Sequence, residues 1–271
     1  MIPAQLPKKE TRDVVLLHGF PDFASSWDDV ATLLRQRGYQ VLTPELYPST
    51  NVKHGRYTYS MRSAATRLAR TLDEVGIDSA HVVGHDWGGV LAWSFAMAFP
   101  ARTASLSLLN APHPRAFGQH LSSRQGRYAL AFQLPYLPEL LLARREYRAL
   151  IAPMRHLLRE GEQQRFLQRY KEKGTMHAML GLYRAMLLPW ARVPEREVQA
   201  PTLVLWGDQD PYLHRDLATP PHDAAARLQT RHLRGVGHWP QRQAPEDVSA
   251  ALLQFWTRHE RAPNEGRNLL E

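Results

Sequence analysis

Five short apolar runs, spaced along the chain with helix-period segments between them, constrain this sequence more than any other feature. Asp13–Leu17, Tyr39–Thr43, Ala80–Val83, Ser105–Leu109 and Thr202–Trp206 are each about the length of a strand, and each reads as a buried one. Trp27–Arg37, Ser60–Val75 and Trp87–Phe99 repeat their apolar residues at helical spacing. Ser60 supplies a candidate N-cap, and Gly76 and Pro100 supply stops. Strands alternating with helices predict a mostly parallel sheet flanked by helices on both faces.

From about Arg115 to Glu197 the pattern changes. No strand-like run occurs there, and Arg-rich helical segments are broken by Pro135, Pro138, Pro153, Gly161, Gly174 and Pro189. Strand and helix signals then return in Thr202–Trp206, Leu228–Leu233 and the amphipathic stretch Glu246–Thr257. The expected organisation is an α/β core in two parts, residues 1–114 and 198–271, with a helical cap over 115–197 inserted above its active site. Ala262–Glu271 reads as a polar tail.

Composition excludes several function classes. With no cysteine among the 271 residues there are no disulfides, thiolate metal sites or thiol nucleophiles, and neither a metal nor a cofactor is expected. No apolar run approaches the ~20 residues that cross a bilayer, and the first residues lack signal-peptide character; a soluble, cytoplasmic protein without a membrane span is expected. The net charge of +8 does not imply nucleic-acid binding, because the basic residues are scattered at helical spacing, as in Arg144, Arg145, Arg148, Arg155 and Arg159, without a recognition motif. They read as a solvated face.

Chemistry concentrates in three stretches. Gly84-His-Asp86-Trp-Gly88 has the small-x-nucleophile-x-small spacing of a nucleophile elbow, in which a strand turns sharply into a helix and exposes the central side chain. The plainer reading of Asp86 is a helix N-cap. Trp206-Gly-Asp-Gln-Asp210 and Gly235-Val-Gly-His238 each follow a strand, so an acid and a histidine arrive in the order nucleophile, acid, base. Alone, His238 reads as a structural histidine and Asp210 as a turn former. Asp208 is a rival acid two residues earlier.

Taken together, His18-Gly-Phe-Pro21, Gly84-His-Asp-Trp-Gly-Gly89, Asn110-Ala-Pro-His-Pro114, Phe132-Gln-Leu-Pro135 and Leu182-Tyr-Arg-Ala-Met186 resemble the epoxide hydrolase family of α/β-hydrolases. The resemblance implies an α/β-hydrolase fold and places the acid of Trp-Gly-x-x-Asp on Asp210. It implies an oxyanion hole from the backbone N–H groups of Phe20 and Trp87, and two cap tyrosines, Tyr128 and Tyr183, that hold the epoxide oxygen. His18, Pro21, Phe132 and Trp239 are expected to wall the substrate pocket; Tyr136 and Trp190 are further wall candidates that local sequence leaves open. Only 17 residues precede His18, so the opening edge strand of the family is expected to be missing or abbreviated. The loop Pro44–Gly55 also departs from the family's more glycine-rich form.

A carboxylate nucleophile narrows the reaction. Attack on an acyl carbon would give a reactive anhydride, whereas attack on a saturated carbon gives an ordinary ester. The expected reaction therefore alkylates Asp86, and water activated by His238, itself oriented by Asp210, then hydrolyses the ester. The expected partners are a small hydrophobic epoxide and water, with monomer and homodimer both open. A haloalkane or haloacid dehalogenase is the alternative enzyme. Against it, Phe20 stands where haloalkane dehalogenases place a halide-binding Asn, and Trp87 stands where fluoroacetate dehalogenases place Arg. A hydrolase-fold receptor without catalysis is the alternative outside enzymes; it has no need for Asp86, Asp210 and His238 together.

Overall fold

The computed structural model describes residues 11–47, 59–116, 127–186, 188 and 193–260. Its strands are β1 (Asp13–Leu17), β2 (Gln40–Leu42), β3 (Ala80–His85), β4 (Thr103–Leu109), β5 (Thr202–Gly207) and β6 (Leu228–Leu233). They form one sheet in the order β2-β1-β3-β4-β5-β6, with every pairing parallel. Residues before Thr11 lie outside the described residues, as does most of the loop Pro44–Gly55 and the tail after Glu260.

Alternation along the central strands splits the core in two. Val14 and Leu16 of β1 pack with α1 (Asp28–Gln36) and the C-terminal helix Pro245–Glu260, while Val15 and Leu17 pack with α2 (Met61–Glu74) and α3 (Trp87–Ala98) on the other face. Because β3 has neighbours on both sides and helices above and below, all six of its residues are buried. The α3 helix that follows is buried almost throughout, from Trp87 to Met97. Ser60 caps α2 as its sequence predicts, its hydroxyl accepting from the Ser63 backbone N–H at 3.1 Å.

One expectation is corrected here. The run Tyr39–Thr43 does not form a buried strand: β2 is short and half-exposed, because as the edge of the sheet among the described residues it has a neighbour on one side only. At the other edge, β6 alternates exposed and half-buried residues.

Between β4 and β5 the described residues are helical or irregular: α4 (Arg127–Ala131), α5 (Leu137–Arg144), α6 (Arg148–Ile151), α7 (Glu162–Lys171) and α8 (Thr175–Met186). This insertion meets the core through named contacts. The Tyr170 hydroxyl donates to the Pro21 carbonyl at 2.6 Å. Arg242, just after His238 in α9 (Pro240–Gln243), donates to Asp22 Oδ1 and to Glu162 Oε1 of α7, each at 2.9 Å.

The chain runs from β1 out to β2 and then returns to β3 on the opposite side of β1. Such a reversal opens a crevice at the carboxyl ends of the strands. In register, Leu17 lies beside Gly84, His85 beside Leu109, Leu109 beside Leu205, and Gly207 beside Leu233. The loops that follow these residues therefore emerge side by side, although their sequence positions are spread from 18 to 238.

Candidate active site

Asp86 sits between β3 and α3 with φ 50° and ψ −121°, a backbone conformation uncommon for any residue other than glycine. Its side chain makes no N-cap hydrogen bond, so the plainer reading of Asp86 is not what the geometry gives. The flanking glycines serve close approach rather than unusual φ. A Cβ on Gly84 would lie 2.3 Å from the Gly88 carbonyl oxygen, and one on Gly88 would lie 2.2 Å from that of Leu17. The elbow needs both positions bare, and it leaves the torsional strain on the residue it presents.

Asp86 Oδ1 accepts the backbone N–H of Phe20 at 2.9 Å, and the backbone N–H of Trp87 also donates to this carboxylate. Burial raises the Asp86 pKa above the ordinary 3.8, partly offset by the charge of His238 and by these two N–H groups. The Phe20 amide is aimed by a braced loop: the Gly19 carbonyl accepts from the Tyr47 hydroxyl at 3.1 Å, and the Phe20–Pro21 bond is cis.

His18 belongs to that brace and not to the pocket wall, which corrects the expectation. Its ring is fully buried, with Nδ1 3.0 Å from the Gly19 carbonyl and Nε2 accepting from the Leu46 backbone N–H at 3.0 Å. The Glu45 carboxylate also lies 3.1 Å from Nε2, so both ring nitrogens are engaged by protein groups and the ring holds the loop.

His238 stands opposite Asp86, with Nε2 3.7 Å from Asp86 Oδ2 and Nδ1 2.7 Å from Asp210 Oδ2. Burial alone would lower the imidazole pKa, but the charge and hydrogen bond of Asp210, with Asp86 behind them, hold it above 6.5. Asp210 is in turn kept below the ordinary range, although burial pushes it up. The charge and hydrogen bond of His238, the Leu213 backbone N–H and the Asn110 amide outweigh desolvation. The rival Asp208 faces elsewhere: its Oδ1 lies 2.7 Å from His232 Nδ1 and 3.4 Å from Arg215 Nε.

Two supporting residues are invisible to local sequence reasoning. Asn110, immediately after β4 with φ 40°, donates to Asp210 Oδ2 at 2.7 Å and accepts from the Gly207 N–H at 2.8 Å. His85, next to Asp86, donates through Nε2 to the His238 backbone carbonyl at 2.7 Å while its Nδ1 faces the Gln241 amide at 3.1 Å. Burial holds His85 well below 6.5, so it stays neutral and keeps this pairing. No spacing signal marks either residue; each is identified by a partner about a hundred residues away or more.

A cavity of about 150 Å³ lies over Asp86 and His238. From the core it is walled by Phe20, Pro21, Tyr212 and Trp239, and from the insertion by Tyr128, Phe132, Leu150, Pro153 and Tyr183. Pro21, Phe132 and Trp239 are among its lining residues. Tyr136 is not, being 77% exposed on the outside, and Trp190 lies outside the described residues.

Tyr128 and Tyr183 lie side by side in the cavity wall with ring centroids 6.4 Å apart; their side chains are hydrogen-bonded, and Trp87 donates to Tyr183. Burial, reinforced for both by the charge of Asp86, raises the two phenols above the ordinary range, so both carry protons at neutral pH. The residues beside them in the sequence motifs tie their segments together. Gln133 donates to the Tyr183 carbonyl at 3.1 Å, and Arg184 donates to the carbonyls of Phe132 at 3.1 Å and Leu134 at 2.8 Å.

A parallel sheet with an elbow carboxylate, an acid–histidine pair on the loops after later strands and a helical insertion over them defines an α/β-hydrolase. The sequence pattern of the Alpha/beta hydrolase family matches residues 14–251, and the chain belongs to that family. Among its relatives is epoxide hydrolase 3 of Xenopus tropicalis, 28% identical over 264 residues that cover 89% of this chain and 70% of the relative. Epoxide hydrolase A of Mycobacterium tuberculosis is 29% identical over 294 residues, covering 90% of each chain. Among solved structures, an epoxide hydrolase mutant from Vigna radiata shares the fold with a TM-score of 0.80 over 93% of each chain at 22% identity. Among the described residues no helix is long and apolar enough to cross a membrane, and no group of three or more His, Cys, Asp or Glu side chains is placed to hold a metal ion.

Proposed function

We propose that the chain is an epoxide hydrolase that adds water to a compact hydrophobic epoxide through an ester on Asp86. One observation carries the reading: a carboxylate held by two backbone N–H groups shares a small, largely apolar cavity with two protonated phenols and an acid-paired histidine. The epoxide hydrolases among its relatives support the same reading.

In the first step Asp86 Oδ2 attacks one epoxide carbon and its C–O bond breaks. The alkoxide takes a proton from Tyr128 or Tyr183, leaving a hydroxyalkyl ester and one phenolate. Positioned acids of this kind contribute ~100 to 10,000-fold. A departing halide would need no such donor, so the phenol pair favours an epoxide over a carbon–halogen substrate.

In the second step His238 takes a proton from water, and the resulting hydroxide attacks the Asp86 carboxyl carbon. Negative charge then gathers on Oδ1, where the Phe20 N–H already points, with the Trp87 N–H on the same carboxyl group. Asp210 stabilises the imidazolium. Collapse returns that proton to the departing diol oxygen and leaves Asp86 as the carboxylic acid; Asp86 then loses its proton to solvent and the phenolate takes one back, which restores the starting state. A cavity near 150 Å³ matches a ligand about the size of benzene, which favours epoxides with one ring or a short alkyl chain.

Single-turnover reaction with aryl and alkyl epoxides in heavy-oxygen water, followed by mass spectrometry of the Asp86 peptide, tests the ester. The heavy oxygen should enter the Asp86 carboxyl group and be absent from the first diol released. Heavy oxygen in that diol with none in Asp86 would overturn the mechanism.

A further inference from the structure

Eight large apolar side chains stand out as exposed among the described residues, and six of them lie between Leu130 and Leu141. Tyr136 is 77% exposed, and Leu130, Leu134, Leu137, Leu140 and Leu141 lie between 45% and 51%. In α5, Leu137, Leu140, Leu141 and Arg144 follow the i, i+3, i+4, i+7 pattern that ordinarily marks a core-facing stripe. Here that stripe faces outward, and Pro138 is the buried side of the helix. Concentrated apolar exposure of this kind marks an interaction surface more often than chance.

Charge identifies the partner. Arg144, Arg145 and Arg148 gather around a surface hollow with Ala149 and Ala152, at the end of the apolar stripe. Between Arg127 and Arg155 the only acidic residues are Glu139 and Glu146, and both are engaged: Glu139 with Arg184 at 2.7 Å and Glu146 with Arg148 at 2.9 Å. Arg144 and Arg145 have no ion-pair partner among the described residues. A second copy meeting this face with its own would bring no free carboxylate to them. We propose that this flank of the insertion docks on an anionic phospholipid surface, with the leucines and Tyr136 entering the headgroup boundary and Arg144 and Arg145 pairing with lipid phosphates. The long arginine stems suit this geometry, since they lie along apolar surface while their charged ends reach the phosphates. Ala149 lines both the arginine hollow and the cavity over Asp86, so the docked flank adjoins the cavity wall.

Co-sedimentation of the full chain with vesicles of phosphatidylglycerol and phosphatidylcholine in equal parts, against phosphatidylcholine alone, tests the proposal at low and high salt. The expected result is partitioning onto the anionic vesicles that weakens with salt. Because each basic residue at such a surface is worth about fivefold, Arg144→Glu with Arg145→Glu should lower it at least tenfold. Leu137→Ser with Leu140→Ser and Leu141→Ser should lower it by a similar factor, with thermal melting confirming that each variant folds. Equal partitioning onto both vesicle types, or none onto either, would overturn the proposal. So would a concentration-dependent dimer that the leucine variant abolishes, because a second copy would then cover the face.

Discussion

Replacing Arg242 by Met tests how the insertion is held to the core. The guanidinium bonds Asp22 and Glu162 with shortest contacts of 2.9 Å, and the three side chains are 7%, 0% and 4% exposed. Removing it leaves two carboxylates buried together without a cation. Breaking a buried pair in this way costs about 3–5 kcal/mol, which for a chain of this length lowers Tm by roughly 10 °C. The loss should depend on pH in a defined sense. In the native protein burial alone would raise Glu162, but Arg242 outweighs it and holds the carboxyl below the ordinary range. That contribution is present above the unfolded carboxyl pKa and is lost only as pH falls through the lower folded value. Without Arg242 burial dominates and the folded pKa lies above the unfolded one. The penalty is then full near neutrality and shrinks as protonation relieves it. Thermal unfolding of both proteins at about pH 7.5 and about pH 5 reads this out, with the larger difference at the higher pH. A Tm change within error at neutral pH, or one that grows on acidification, would refute the reasoning.

The remaining expectations concern the proposed mechanism. Tyr128→Phe with Tyr183→Phe should abolish epoxide opening while leaving the fold intact, so a stopped-flow trace with unchanged alkylation of Asp86 would mean that the proton comes from elsewhere. Asn110→Ala removes a donor to the Asp210 carboxylate, and hydrogen bonds to charged groups are worth about 1.5–3 kcal/mol. It should cut ester hydrolysis by roughly 10 to 100-fold with little change in KM; a KM effect alone would contradict it. In a pH profile, attack by Asp86 should fail below a pKa raised above 3.8, and ester hydrolysis should fail as His238 protonates. Because both phenols are raised, epoxide opening should persist beyond pH 10, and a basic limb near the ordinary phenol value would refute that.

Much of this molecule is legible in one dimension. The strand runs and helix stops needed only local periodicity, and all six strands fall where that periodicity puts them. Asp86 was marked by its glycine spacing because a strand turning into a helix has room for few side chains, and that demand is local. Asp210 and His238 followed from order along the chain, since parallel strands deliver their loops to one edge. Beyond this the sequence is silent. It does not tell Asp208 from Asp210 by periodicity, and it leaves His18 as credible a pocket wall as Pro21. It gives no role to Asn110, His85 or Arg242, whose partners lie about 80 to 220 residues away. Hydrogen bonds and ion pairs depend on ångström-scale direction between chain-distant groups, which sheet register and the docking of the insertion set. The apolar stripe of α5 makes the same point, because its spacing specifies a face but only tertiary packing decided that the face looks outward.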